Sequence, residues 1–511
     1  MSLERALGYL KIACVALSLA ALGAGWGRAI AQVEQRVPIK AVPRASCGSG
    51  DTVETVQGET TLAERFATGP AKIFNCNLEL VGQYKGQGSG WGWSGTNKCA
   101  YVTQYRSVGS PKLTTPGTLV LDVSNVSTPK LVTILDSPAM DNVNESMAIS
   151  PDNKLLVGNN IATNGETSFP VEVYDISDCR NPKLLTSQVM PNNLRFHGAV
   201  FSADSKLLFG AACDCALYPQ PYVDGSAVFA IDMSDPAHPK ELARWVSDNE
   251  NWMTHWISIN KSGTRAYVTL QQFSPGPKKD GTLIFDISDF KSGKANPQFH
   301  LVGKLFWDDT RDGEGNNYFS RDGRDYLVYT DFLGGTSMGA GATPFAPTCI
   351  PGRATWGYPH VIDVTDAANP VTVSRLALEV DLPERCQQVV HDPVGIFGYG
   401  PAMCDTDNIG SARLLACGSM EAGLRVFDIR DPHAPKEVAY FKPAATRGEV
   451  LAASAQTVTK QNPNKTADAV VLPHFRDGGR QILFNAMDNG FMVVRFEDEF
   501  IKNNPGLFVA Q

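Results

Sequence analysis

The chain has 511 residues, 43% of them hydrophobic and 19% charged, with a formal charge of −8. That balance supports a sizeable folded core and excludes a disordered or collagen-like chain. An acidic chain without a basic run also argues against nucleic acid and anionic membranes as partners.

The first 31 residues read as an export signal. Arg5 and Lys11 precede "IACVALSLAAL", an apolar run too short to span a bilayer comfortably, and Ala29-Ile30-Ala31 supplies a small-x-small cleavage site. Cleavage there removes three basic residues and one acidic residue and takes the charge from −8 to −10. The mature protein is expected to be periplasmic or secreted, with no membrane span and monomeric. Ten of the 11 cysteines then remain. In an oxidising compartment an even number suggests disulfides, and the expected pairs are Cys76–Cys99, Cys349–Cys386, Cys404–Cys417, and Cys179 with Cys213 or Cys215. A metal or redox role for Cys213-x-Cys215 is the weaker alternative.

An N-terminal extension covers 32–76. "NLELVGQY" (Asn77–Tyr84) then reads as an outer strand with no blade before it. From there one pattern recurs: "GTLVLDVSNVSTPKLVTIL", "VEVYDISDCRNPKLLTS", "SAVFAIDMSDPAHPKELARW", "GTLIFDISDF", "HVIDVTDAANPVTVSRL" and "GLRVFDIRDPHAPKEVAYF". The copies align on Asp122, Asp175, Asp232, Asp286, Asp363 and Asp428, and Arg495 holds that place in a degenerate seventh copy. Period-two alternation before each Asp marks a half-buried strand. The Asp and the following Ser or Thr suit a tight turn, and Pro precedes the next strand. Ahead of each copy, pairs such as "SMAISPDNKLLVGN" supply two more strands. Four strands at a spacing of roughly 50 to 80 residues predict propeller blades. The expectation is an all-β fold: one seven-bladed β-propeller over 77–500, with a C-terminal tail over 501–511. Blades fall near 88–136, 143–190, 196–246, 252–306, 315–380, 394–441 and 467–499, and Asn77–Tyr84 completes the last. Gly334–Gly357 reads as a long insertion in blade five, suited to a lid or a partner loop.

The repeats resemble the LVIVD repeat of exported bacterial and archaeal propellers, most specifically in "GLRVFDIRDPHAPKEVAYF" and "AMDNGFMVVRF". The resemblance covers about Asn77 to Asp498. It implies a β-propeller at the cell surface or in the envelope and implies no reaction.

Candidate chemistry comes from position within the repeat. Counting five residues back from the turn after each first strand gives Glu145, His197, His255 and Gly315, with Glu314 beside the last. In a ring these side chains point toward one axis, and His391 in the loop entering blade six could join them. Imidazoles with carboxylates suit a divalent metal or general acid–base work; the bland alternative is hydrogen bonding between blades. The other histidines read as structural: His238 and His433 in solvated turns, His300 in an outer strand, His360 before a third strand, His474 in a turn. Asp308, Asp309, Asp312 and Glu314 read as a solvated acidic loop, with calcium as the weaker alternative. Trp91 and Trp93 read as packing between blades, with ligand stacking the alternative. No phosphate loop, serine-nucleophile elbow, His-Glu-x-x-His or haem-attachment motif is present. Two functions follow. One is a binding or interaction scaffold in the envelope, with an envelope protein or small molecule as ligand. The other is a metal-dependent oxidase or hydrolase using Glu145, His197, His255, Glu314 and His391.

Overall fold

A computed structural model describes residues 32–33, 38–65, 72–105, 112–143, 145–160, 170–191, 194–212, 227–248, 252–271, 280–307, 311–334, 349–390, 392, 397–444, 451–453 and 468–509. The expected signal, His391, Cys213, Cys215, Asp308, Asp309 and most of the blade-five insertion lie outside these residues.

Seven antiparallel sheets follow one another along the chain. Their innermost strands are Trp93–Gly95, Met147–Ile149, Gly198–Phe201, Thr254–Ile259, Arg311–Arg321, Pro401–Thr406 and Val470–Arg476. Each sheet adds three strands outward, ending in six blades with Lys130–Leu135, Lys183–Val189, Lys240–Val246, His300–Trp307, Val371–Arg375 and Lys436–Lys442. Blade 7 has three strands of its own, and its outermost place is filled by Leu78–Tyr84 paired antiparallel with Gly490–Phe496. The seam between blades 7 and 1 is sealed by Trp93, which packs edge-on against His474 and Phe491 and donates its indole N–H to the Leu472 carbonyl. A closed ring leaves no face of a blade without a neighbour. This is a seven-bladed β-propeller.

The repeated sequence has a local cause. In each of six copies the aligned Asp accepts a hydrogen bond from the backbone N–H two residues on, at 2.8–3.0 Å: Ser124, Ser177, Ser234, Ser288, Thr365 and Arg430. This Asx turn reverses the chain between the third and fourth strands. Before it, both faces of the third strand are covered by neighbouring blades, as for Val173 and Tyr174, which point to opposite faces and are buried in the clusters shared with blades 3 and 1.

The extension runs around the outside of blades 4 to 6. Gln32–Val33 pairs parallel with the outer strand of blade 4. Ala41 bridges Ala377 beyond the outer strand of blade 5, and Phe74–Cys76 adds a fifth strand to blade 6. Asn77, in left-handed conformation at φ 58°, then turns the chain onto blade 7. This strap is fastened by a buried ionic cluster. Arg425 of blade 6 holds both oxygens of Glu54 at 2.6 and 2.7 Å, Glu437 lies 3.0 Å from the same guanidinium, and Lys442 lies 3.0 Å from Glu54. Burial would raise the Glu54 pKa, but the Arg425 and Lys442 charges outweigh it and hold the carboxyl at about 2.

Four disulfides are present among the described residues. Cys349–Cys386 and Cys404–Cys417 are as expected. Cys76 instead joins Cys47 within the strap, and Cys99 joins Cys179, tying blade 1 to the turn of blade 2. The expected Cys76–Cys99 bridge fails because Cys76 sits on the edge of blade 6 and Cys99 begins the second strand of blade 1. At the far end of the chain, Leu507 and Phe508 are buried with Phe496 and Phe500.

Candidate axial centre

Four of the five predicted ligands come together; the fifth, His391, lies outside the described residues. Glu145 and His197 stand just ahead of the innermost strands of blades 2 and 3, while His255 and Glu314 lie within those of blades 4 and 5. The His197 and His255 rings are 4.0 Å apart between centroids. His197 Nε2 is 3.5 Å from Glu145 Oε1, and His255 Nε2 is 3.8 Å from Glu314 Oε2. All four residues are buried, the most exposed being Glu145 at 8%.

A backbone irregularity aims two of them inward. In blades 4 to 7 the innermost strand carries a bulge in which two residues oppose one. The bulged pairs are His255-Trp256, Glu314-Gly315, Ala402-Met403 and Val471-Leu472. Glu314, not Gly315, is therefore the equivalent of His255. Counting from the turn is off by one in blade 5 because its hairpin runs on to the Arg321–Arg324 pair, with only Asp322 and Gly323 between. The second bulged residue locks onto the preceding blade. A Cβ at Gly198 would meet the Trp256 ring at 2.8 Å, and one at Gly315 would collide with Met403 Sδ. Both glycines make room for the neighbour's side chain.

The electrostatics are those of a buried, acceptor-rich pocket. His255 Nδ1 lies 2.6 Å from the Glu314 backbone carbonyl. A carbonyl only accepts, so Nδ1 carries the proton and Nε2 of the neutral ring keeps a lone pair. Burial pushes the His255 pKa down to about 4 and that of His197 well below its ordinary value, the latter helped by His255. Burial pushes Glu145 up to about 8. Glu314 is driven well above the carboxylate range by burial, then by Glu145 and Asp312. The two glutamates hydrogen-bond each other, carboxyl to carboxyl.

The arrangement is two His–Glu pairs rather than a finished tetrad. Among the described residues, the one set of three such ligand atoms lying mutually within 4.8 Å is Cys47, Asp51 and Cys76, whose sulfurs are already joined.

No protein-family model and no curated protein matches this chain. Solved structures do. The hydrazine synthase of Kuenenia stuttgartiensis aligns at TM-score 0.48 and 12% identity over 82% of this chain and 96% of that one. The periplasmic gluconolactonase PpgL of Pseudomonas aeruginosa aligns at TM-score 0.46 and 13% identity over 81% and 89%. Neither likeness carries an argument about activity.

Other expectations are corrected. Asp312 and Glu314 are not in a solvated loop: they are 0% and 2% exposed, inside a strand. His474 is not in a turn but in the innermost strand of blade 7, where its Nδ1 lies 3.0 Å from Asp405. Asn317 bonds the other Asp405 oxygen at 2.9 Å, giving a belt across blades 5, 6 and 7. This belt borders a cavity of about 530 Å³ lined by the turns after the innermost strands, at the opposite mouth of the ring. His360 is the first residue of a third strand, fully buried 3.2 Å from Asp331. No described helix is long and apolar enough to cross a membrane.

Proposed function

We propose that Glu145, His197, His255 and Glu314 hold a divalent transition-metal ion, and that the protein is an extracytoplasmic metal-dependent hydrolase or oxidase. The observation that carries this reading is the convergence of four acceptor groups in a buried site, with a lone pair of His255 fixed toward a carboxyl oxygen. The 3.5 and 3.8 Å contacts are long for hydrogen bonds. They are close to the edge of about 3.4 Å expected between ligands of a tetrahedral ion with bonds near 2.0–2.1 Å. For one ion to take ligands from both pairs the Glu145 and Glu314 side chains would have to rotate, since among the described residues no three of these axial ligand atoms lie mutually within 4.8 Å. His391 is a further candidate ligand. The disulfides support an extracytoplasmic site of action, and a single chain that closes its own ring supports a monomer.

A bound ion would supply Lewis acidity or an activated water. The chain supplies the rest. The Glu314 carbonyl fixes the His255 tautomer, as outer partners of metal-binding histidines commonly do.

The test is the metal content of dialysed mature protein beside a His197→Ala/His255→Ala double variant. Near-stoichiometric zinc directs the search to hydrolysis, iron or copper to oxidation. Equal, trace metal in both proteins overturns the reading.

A second reading, a binding scaffold in the envelope, rests on the outer strands of blades 1 to 3, to which no further described strand is added. There Leu131, Leu184, Val189, Leu242 and Val246 are 39–48% exposed, whereas the strap adds strands to blades 4 and 6. Crosslinking in intact cells that captures no partner through these strands would remove it.

A further inference from the structure

We infer that the cavity at the opposite mouth of the ring is a second ligand site, one that takes an uncharged, hydroxyl-rich molecule of saccharide type. This inference is independent of the metal reading, because the axial residues take no part in it. The observation is an exposed imidazole set in place by a chain of hydrogen bonds. His474 Nδ1 donates to Asp405 Oδ2 at 3.0 Å, while Asp405 Oδ1 accepts from Asn317 Nδ2 at 2.9 Å and from the Thr406 backbone N–H at 2.8 Å. The Trp93 ring packs edge-on against the same imidazole, 4.8 Å away between centroids. Residues of four successive blades thus fix one ring. With its proton on Nδ1, the neutral ring keeps a lone pair on Nε2. The His474 side chain lines the cavity and is 39% exposed, and Nε2 has no hydrogen-bond partner among the described residues. A belt that only tied the blades together would be complete at Nδ1. Nε2 is an oriented acceptor left over.

The rest of the lining sets the class of ligand. The cavity volume of about 530 Å³ falls within the roughly 300–1,000 Å³ of small-molecule sites. Its charged groups are mostly committed elsewhere. The Asp407 carboxylate is fully buried against Arg413, 2.9 Å away. The two terminal nitrogens of Arg476 donate to the Val123 and Thr96 carbonyls at 3.3 and 2.6 Å, so the donors an anion would need are taken. Asp477, exposed in the turn of blade 7, has no ion-pair partner among the described residues and repels anions. What remains is largely neutral. Beside His474 Nε2 stand Ser94, Asn97 and Asn153, whose side chains make no hydrogen bond among the described residues. Half-buried Ile149 and Phe475 add apolar surface. Neutral donors and acceptors beside hydrocarbon match the alternating O–H and C–H groups of a sugar ring.

The test is a titration of the full-length mature protein, followed by saturation-transfer NMR, with glucose, N-acetylglucosamine, maltose and cellobiose, and with glucuronate as a charged counterpart. At least one neutral sugar should bind, and glucuronate should not. His474→Ala should weaken the bound sugar about tenfold, the effect of one lost hydrogen bond. Asn97→Ala, in an exposed turn, should weaken it about threefold and serves if His474→Ala does not fold. No binding of any neutral sugar, glucuronate binding as well as the best of them, or unchanged affinity in the variants overturns the site.

Discussion

His197 and His255 enter the axis from adjacent blades, and their imidazole rings lie 4.0 Å apart, tilted by 35°. Two charged imidazolium rings could not share that space without a large repulsion; burial holds both neutral, and His255 adds to the effect on His197. Neutral imidazole is the form that ligates metal.

The ligand assignment predicts unequal costs. Glu314→Gln and His255→Ala should each weaken zinc binding by more than the roughly 10–100-fold typical of outer-shell groups. His474→Ala, at the opposite mouth, should leave it unchanged. Competition with a chromophoric chelator measures all three. Equal losses for His474→Ala and His255→Ala would remove the axial centre from consideration.

The metal-free protein should lose stability as pH rises from about 6.5 to 8. Glu145 has a raised folded pKa of about 8, so its contribution is full below its unfolded pKa and fades as pH climbs through 8. The histidines work in the opposite sense. Their depressed pKa values cost stability only as pH falls below about 6.5, which leaves the upper window to the carboxyls. Thermal melts of wild type and Glu145→Gln across this range check it, and the variant should show the flatter profile.

Gly315→Ala should destabilise by about 1–3 kcal/mol, the usual cost of overpacking a filled core. The added methyl meets Met403 Sδ. Met403→Ala in the same chain should recover part of that loss, because the two side chains compete for one volume. Urea midpoints of the two single variants and the double give the coupling. Simple additivity would show that the interlock between blades 5 and 6 is not tight.

Glu54→Ala should cost about 3–5 kcal/mol, because it leaves Arg425 and Lys442 buried without their shared partner. The loss should appear as a lower denaturant midpoint. It should also speed proteolysis of the strap, whose Phe74–Cys76 strand leads directly into the strand that completes blade 7.

The sequence by itself determined the ring. The Asp-turn repeat and period-two alternation are local signals, and each copy needs only its immediate neighbours to bury its faces. Blade number, closure by Asn77–Tyr84 and the inward positions of Glu145, His197 and His255 follow from that periodicity. What only the tertiary structure decided depends on contacts between distant segments or on breaks in the repeat. Cys47–Cys76 and Cys99–Cys179 could not be chosen over Cys76–Cys99, because the strap and the outer turn of blade 2 are placed by packing that no local pattern encodes. The choice of Glu314 over Gly315 hinged on a bulge and a two-residue turn, which shift register without leaving a mark in the alternation. The 4.0 Å approach of His197 and His255 arises because a ring brings equivalent positions to one point whatever residues they carry.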